Sequence, residues 1–207
     1  MDNLVLTISG EYGCEEKQIG QQLAYRLGFH FYHDDLIRQL TARYTGLSPE
    51  FLEEADRYAT SSFIYSTVMN PYPNVSQPLQ CDVPAAERSY FAQRQTIRTL
   101  ASQKSCVVVN LCAAVSLRDM NVFRVFITGA TDYRCGNIAR LLGCSVKEAA
   151  AEMKREDRRR EGYFARYTGE EWKNPDFYDL LVNASNAGID GVVNTIAAMI
   201  RAKGLIE

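Results

Sequence analysis

An α/β fold, a parallel β-sheet with helices on both faces, is what the sequence predicts, and three observations predict it. Four short runs, "LVLTIS" from Leu4, "CVVVNL" from Cys106, "VFRVFIT" from Val122 and "YDLLVN" from Tyr178, are largely apolar or β-branched, as strands buried on both faces tend to be. Segments of helical periodicity separate them, the alternation that crossover connections between parallel strands produce. The chain's 207 residues, 46% of them hydrophobic, suffice for one substantial core. One domain spanning residues 1–207 is the expectation.

The first run, Leu4 to Ser9, turns through Gly10 and Gly13 into a helix on which Ile19, Leu23, Ala24 and Leu27 recur at helical spacing, with Gly28 as its stop. "FHFY" is a short strand or extended segment, and "HDDLIRQLTARYTG" a second helix ended by Gly46. Ser48, Pro49 and Glu50 are dense start signals for a third helix through "EFLEEADRY". Residues 68–84 hold four of the six prolines and no helical period, which predicts an exposed excursion. "AAERSYFAQRQTIRTLASQ" predicts a helix with Phe91, Ile97 and Leu100 near one face, leading into the second strand run. After the third run, "DYRCGNIARLLG" is a helix closed by Gly143. Ser145 and Glu148, in capping-box register, then open a long helix that becomes strongly basic. "GIDGVVNTIAAMIRAKG" follows the fourth run as a closing amphipathic helix.

With 23 Lys+Arg against 25 Asp+Glu, the net charge of −2 provides no global field to gather nucleic acid or an anionic membrane. No basic leader precedes an apolar core, and no apolar run approaches a membrane-spanning length. A cytoplasmic protein with neither nucleic-acid nor membrane partners is expected. Six scattered cysteines (Cys14, Cys81, Cys106, Cys112, Cys135, Cys144), without a CxxC pair and with only two histidines, predict no metal site and no disulfide framework. They read as reduced, mostly buried thiols.

Two stretches could carry chemistry. The first is Gly10-Glu11-Tyr12-Gly13-Cys14-Glu15-Glu16-Lys17. A phosphate cradle needs glycines so that successive backbone N–H groups point at the anion, with a helix N-terminus behind them and a lysine reaching the terminal phosphates. Here glutamates stand where a second glycine and the lysine are wanted, and Lys17 comes one residue late. A carboxylate about 6 Å from a phosphate charge repels it by roughly 3 kcal/mol at an effective dielectric of about 20. The same glutamates in a helix's first turn stabilise that helix by about 0.3–1 kcal/mol each. The second stretch is "KREDRRREGYFAR", Lys154 to Arg166, with six basic and three acidic residues. It is either an arginine clamp for a transferring phosphoryl group or a solvated face laced with i,i+4 ion pairs. His33, Asp34 and Asp35 follow the extended segment where ligands of open α/β sheets gather, and Asp34 is also suited to cap the next helix, the reading preferred here.

"TISGEYG...QIGQQLAYRLGFHFY", "LSPEFLEEAD", "CVVVNLCA", "FRVFITGATDYR", "EDRRREGYFARYTGEEW" and "YDLLVNAS" together make the chain, nearly end to end, resemble the cytidylate kinase-like family, relatives of the nucleoside monophosphate kinases. "DRRREGYFARYTGEEW" followed by "YDLLVN" is the most specific part. The resemblance implies a P-loop kinase fold: a five-strand parallel sheet with helices on both faces, an acceptor-binding helical region about 34–104 and a helical lid about 145–170. It implies ATP and Mg²⁺ as cofactors and a small-molecule nucleotide such as CMP as partner, a homo-oligomer being compatible with it. By the same resemblance Lys17, Arg158 and Arg160 are catalytic. Gly10, Gly13, Cys14, Lys17, Gln18 and Arg134 lie on the donor, and His33, Asp34, Asp157 and Arg160 on the acceptor. Tyr163 and Tyr167 follow the lid's Asp157 and Arg160.

Four departures stand against it. The family's Gly-Ser-Gly-Gly-Arg-like loop is here Gly13 to Lys17, its Gly-Arg pair after the second strand run is Asn110 and Leu111, its aspartate after "FY" is His33, and a second arginine a turn beyond Arg134 is Asn137. Those positions serve donor phosphate, acceptor phosphate, acceptor nucleoside and donor base. The expected activity is therefore ATP-dependent phosphoryl transfer to CMP or a related small acceptor, or else a catalytically degenerate member that binds or regulates.

Overall fold

A computed structural model describes residues 3–57 and 85–206; the proline-rich stretch 68–84 and Cys81 lie outside them. Five strands, β1 (Val5–Gly10), β2 (His30–His33), β3 (Cys106–Val109), β4 (Val122–Thr128) and β5 (Leu180–Asn183), form one sheet in the order β2-β3-β1-β4-β5. Every pairing is parallel, with β1 central between β3 and β4. The extended segment around "FHFY" is the strand β2, displaced by one residue to end at His33. The helices are α1 (Glu16–Leu27), α2 (Asp34–Thr45), α3 over residues 49–57, α4 (Ala85–Gln103), α5 (Ala113–Ser116), α6 (Thr131–Leu142), α7 (Val146–Thr168) and α8 (Ala184–Ala202).

The period of two along β1 divides its side chains between two cores. Leu6 and Ile8 join Leu23 of α1 and Ile196 and Ile200 of α8 on one face. Val5 joins Ile37 of α2, Ile97 of α4 and Leu117 on the other. These side chains are at most a few percent exposed, and each contributes about 1.5–3 kcal/mol of burial. A third cluster, Phe126, Phe164, Trp172 and Tyr178, anchors the chain after α7; the Trp172 indole N–H donates to Ser9 Oγ at 3.2 Å.

Start and stop signals act as their chemistry requires. Gly28, Gly46 and Gly143 close α1, α2 and α6 at φ of 65°, 72° and 64°, and Ser145 with Glu148 forms a complete capping box at α7. Ser48 Oγ accepts the Phe51 N–H at 3.1 Å, capping α3. The structure also departs from the sequence reading. Phe91 is 54% exposed because the buried stripe of α4 runs through Ala86, Tyr90, Gln93, Ile97, Leu100 and Ala101, a helical course that leaves position 91 outside. The closing helix begins four residues early, at Ala184, where Asn183 caps it, and Gly188 (φ 60°) breaks its regularity where the helix was expected to start. The four-residue α5 is too short to leave a periodic signal. The five described cysteines are unpaired, four of them buried. No described helix is long and apolar enough to cross a membrane.

One glycine sets how closely α1 lies on the sheet. A Cβ at Gly20 would stand 2.4 Å from Val109 Cγ2 and 3.0 Å from Phe31 Cε2. Gly20→Ala is therefore expected to destabilise by about 1–3 kcal/mol through overpacking, despite alanine's better helix propensity. Thermal unfolding checks this, at about 2–4 °C of Tm lost per kcal/mol for a chain of this size.

Candidate functional site

The turn from β1 to α1 lies against α6 and α7. Gly13 has φ of 92°, and a Cβ there would meet the Arg134 carbonyl at 2.8 Å, so both backbone and space demand glycine. Glu15 is the N-cap of α1 and the one described non-glycine residue at positive φ, 60°, a conformation that costs a side-chain-bearing residue about 1–2 kcal/mol. Its carboxylate turns outward, accepting from Tyr133 Oη at 2.8 Å and Arg140 at 2.9 Å.

Glu16 turns the other way. Its Cγ lies 3.0 Å from where a Cβ on Gly10 would be, so the side chain folds back over the start of the loop. There it pairs with Arg160 of α7. The same guanidinium donates to the Gly10 carbonyl at 2.7 Å and lies over the Tyr12 ring at 5.3 Å. Glu11 is buried beneath the loop, accepting from Thr128 Oγ1 at 2.6 Å, pairing with Lys173 and lying 3.4 Å from Arg134. Burial pushes its carboxyl up, but the bonds from Lys173 and Thr128 and the Arg134 charge outweigh that and hold it below the usual carboxylate value.

Arg134 and Asp157 brace the loop backbone. The Tyr12 N–H donates to Asp157 Oδ1 at 3.0 Å, Arg134 Nε donates to the Tyr12 carbonyl at 2.9 Å, and the two side chains pair with each other. Asn137, where the family pattern expects arginine, donates to the Gly13 carbonyl at 2.9 Å. The loop's three carboxylates are thus met by Lys173, Arg134, Arg140 and Arg160. Cys14 is a buried thiol pushed up to about 12 by burial and then by the Glu16 charge, which makes it a packing residue and a poor nucleophile.

Beside the loop, at the carboxyl ends of β1, β2 and β3, opens a cavity of about 590 Å³, the place where ligands of open α/β sheets bind. Lys17, Arg38, Arg159 and Arg160 line it together with Glu16, Asp34, Asp35 and Asp56. Asp35 holds Lys17 at 3.3 Å, Arg38, and His33 Nδ1 at 3.5 Å. Burial raises the Asp35 carboxyl, yet the Lys17 bond and the Arg38 charge leave it below the ordinary value. Burial and the Lys17 charge lower His33 and favour its neutral form. Asp34 is not the cap of α2: the N-cap is His33, and Asp34, first in the helix, accepts from Asn110 Nδ2 at 2.7 Å. Asn110 Oδ1 in turn accepts the Cys112 N–H at 3.0 Å, so the residue standing for the family's glycine fixes the bend after β3.

Of the residues picked out in the sequence, Gly10, Lys17, His33, Asp34 and Arg160 meet at this cavity, while Gly13 and Cys14 lie in the loop away from the cavity lining and Arg134 and Asp157 brace its backbone. Gln18 is exposed and lines no part of the cavity. Arg158 points away, exposed, with Nε donating to the Lys154 carbonyl at 3.1 Å; Arg159, one helical step round, lines the cavity in its stead. Asp56 and Gln93 escaped sequence reasoning, the first because "EEADR" reads as a solvated helix face. The signal available was its position four residues after Leu52 and one after Ala55, both buried. Among the described residues no three histidine, cysteine or acidic side chains are grouped to hold a metal ion.

Sheet order, glycine turn and the arginine-bearing helix across it define a kinase-like fold. The chain belongs to the cytidylate kinase-like family, whose model matches residues 5–186. Among solved structures it is similar to an uncharacterized protein from Eubacterium ventriosum, at 20% identity and a TM-score of 0.72 over 97% of this chain and 99% of that one. It is also similar to shikimate kinase from Bacteroides thetaiotaomicron, at 10% identity and TM-score 0.54 over 97% and 99% of the two chains. Shikimate kinase from Acinetobacter baumannii in complex with shikimate gives 12% identity and TM-score 0.52 over 100% and 96%. At such identities these neighbours speak for the fold alone. No curated protein matches the chain significantly.

Proposed function

We infer that this kinase-family chain is a catalytically degenerate member, a small-ligand-binding or regulatory module whose cavity remains open while its donor loop is closed by its own charges. One observation carries the reading: Glu16 folds over Gly10 and is held there by Arg160, the lid arginine that in the family would meet phosphate. A carboxylate in that position does not fit a triphosphate, and neutralising it engages a cation the phosphates would need.

The alternative is ATP-dependent phosphoryl transfer to CMP or a related small acceptor, carried by positioning and electrostatics. A specific observation favours it too, since Lys17, Arg159 and Arg160 line the same cavity as Asp34. Thermal-shift titration with Mg-ATP, with CMP, and with shikimate, the ligand of the A. baumannii neighbour, separates the two. The degenerate reading expects no shift with Mg-ATP at several millimolar. Were ATP bound at one-hundredth of that concentration, linkage would stabilise the protein by about 2.7 kcal/mol, a rise of roughly 5–10 °C. Such a rise, followed by CMP-dependent ATP turnover, would replace this reading with the enzymatic one.

A further inference from the structure

Asp56, at the end of the described part of α3, lines the cavity and is held by neutral side chains alone; among the described carboxylates of the cavity it shares this only with Asp34. Lys17 and Arg38 meet Asp35, Arg160 meets Glu16, and Asn110 together with the start of α2 holds Asp34. Asp56 accepts from Ser89 Oγ at 3.0 Å and Tyr163 Oη at 3.4 Å on Oδ1, and from Gln93 Nε2 at 3.2 Å on Oδ1 and 2.9 Å on Oδ2. No Lys, Arg or His among the described residues lies within ion-pair distance of it. A carboxylate offers about four acceptor positions. Three donors crowd Oδ1 while Oδ2 holds one, so Oδ2 keeps an acceptor position, and Asp56 lines the cavity.

A half-buried anion without a cation is costly to the extent that it is desolvated, unless something supplies the missing donor. Burial accordingly raises the Asp56 carboxyl, with the Gln93 and Ser89 bonds and then the Arg38 charge opposing it only in part. Three elements converge to hold it, α3, α4 through Ser89 and Gln93, and α7 through Tyr163, so its position is set by packing. Lys17 and Arg38 line the same cavity from α1 and α2. The cavity therefore has a cationic pole at Lys17 and Arg38 and, on α3, a carboxylate with no ion-pair partner, which the Arg38 charge reaches without pairing.

We propose that Asp56 is the ligand-reading residue of this cavity, taking a hydroxyl or amino group of a small molecule whose anionic group lies at the Lys17 and Arg38 pole. This rests on the reading of the cavity as a small-ligand site and adds to it the chemical class of ligand, one anionic group together with a hydrogen-bond donor. It does not depend on whether ATP binds.

The test is calorimetric titration of the full chain and of its Asp56→Asn variant with CMP, with shikimate and with inorganic phosphate. Asparagine keeps the shape and can still accept from Ser89 and Gln93, so thermal unfolding of the unliganded variant should stay near that of the parent. CMP or shikimate is expected to bind the parent and to lose about tenfold or more in affinity in the variant, the range for removing one partner of a buried hydrogen bond. Inorganic phosphate, which has no second group to offer, is expected to bind both proteins alike. Equal affinity of the two proteins for CMP or shikimate, whichever binds the parent, would overturn the assignment of Asp56 while leaving the cavity a ligand site. Binding of neither CMP nor shikimate to the parent would overturn the ligand-site reading itself, and the assignment with it.

Discussion

Glu16→Ala is expected to raise affinity for Mg-ATP by one to two orders of magnitude, the largest functional effect of any single change in the loop. The variant removes the side chain that folds over Gly10 and the charge that holds Arg160. Unlike charges about 6 Å apart at an effective dielectric of about 20 attract by roughly 3 kcal/mol, and like charges repel by as much; a full 2.7 kcal/mol is about a hundredfold in binding. Arg160 gains twice, since its guanidinium is released and keeps only the Gly10 carbonyl and the Tyr12 ring. Alanine is the best helix former and suits the first turn of α1, so the change leaves the helix intact. Calorimetric titration of parent and variant with Mg-ATP reads the difference. Unchanged affinity would show that Glu16 is not what closes the loop, and attention would move to Glu15, whose left-handed backbone only glycine adopts without strain.

The scaffold was legible because its signals are local. A parallel strand buried on both faces must be an apolar run, as β1, β3 and most of β4 are, and the edge strand β5 is an apolar run although alternate residues of it are exposed. Gly28, Gly46 and Gly143 end helices because their φ is positive, a property of the residue itself. The loop was legible as an element, and its excess of glutamate was plain. What could not be read was where those carboxylates turn. Glu15 and Glu16 are neighbours in sequence, but one leads to Arg140 on α6 and the other to Arg160 on α7, partners 125 and 144 positions away. The direction depends on Glu15 taking a left-handed conformation, which no propensity assigns to glutamate. Asp56 was hidden for the same reason. Its environment is assembled from Ser89, Gln93 and Tyr163 on two other helices. In α7 the charge run alone did not distinguish Arg158, which faces solvent, from Arg159, which faces the cavity.

Arg134→Ala is expected to cost about 3–5 kcal/mol of stability, the largest structural effect at the site. Its side chain is 6% exposed, and its guanidinium meets Asp157, Glu11 and the Tyr12 carbonyl at once. Truncation leaves the half-buried Asp157 without its cation, Glu11 with Lys173 alone and the loop carbonyl without its donor, the situation in which breaking a buried pair is far more costly than never having had it. For a chain of 207 residues that is a fall in Tm of roughly 6–20 °C. Asp157 decides whether charge is the cause. Because Asp157 also accepts the Tyr12 N–H, the double variant Arg134→Ala/Asp157→Asn removes one stranded charge yet keeps an oxygen for that N–H. The double variant should therefore recover part of the loss, with a coupling of about 1–3 kcal/mol in a double-mutant cycle. A cycle without coupling would mean that Arg134 stabilises the loop through packing of its stem beside Gly129 rather than through its charge, and that the brace under the loop is steric.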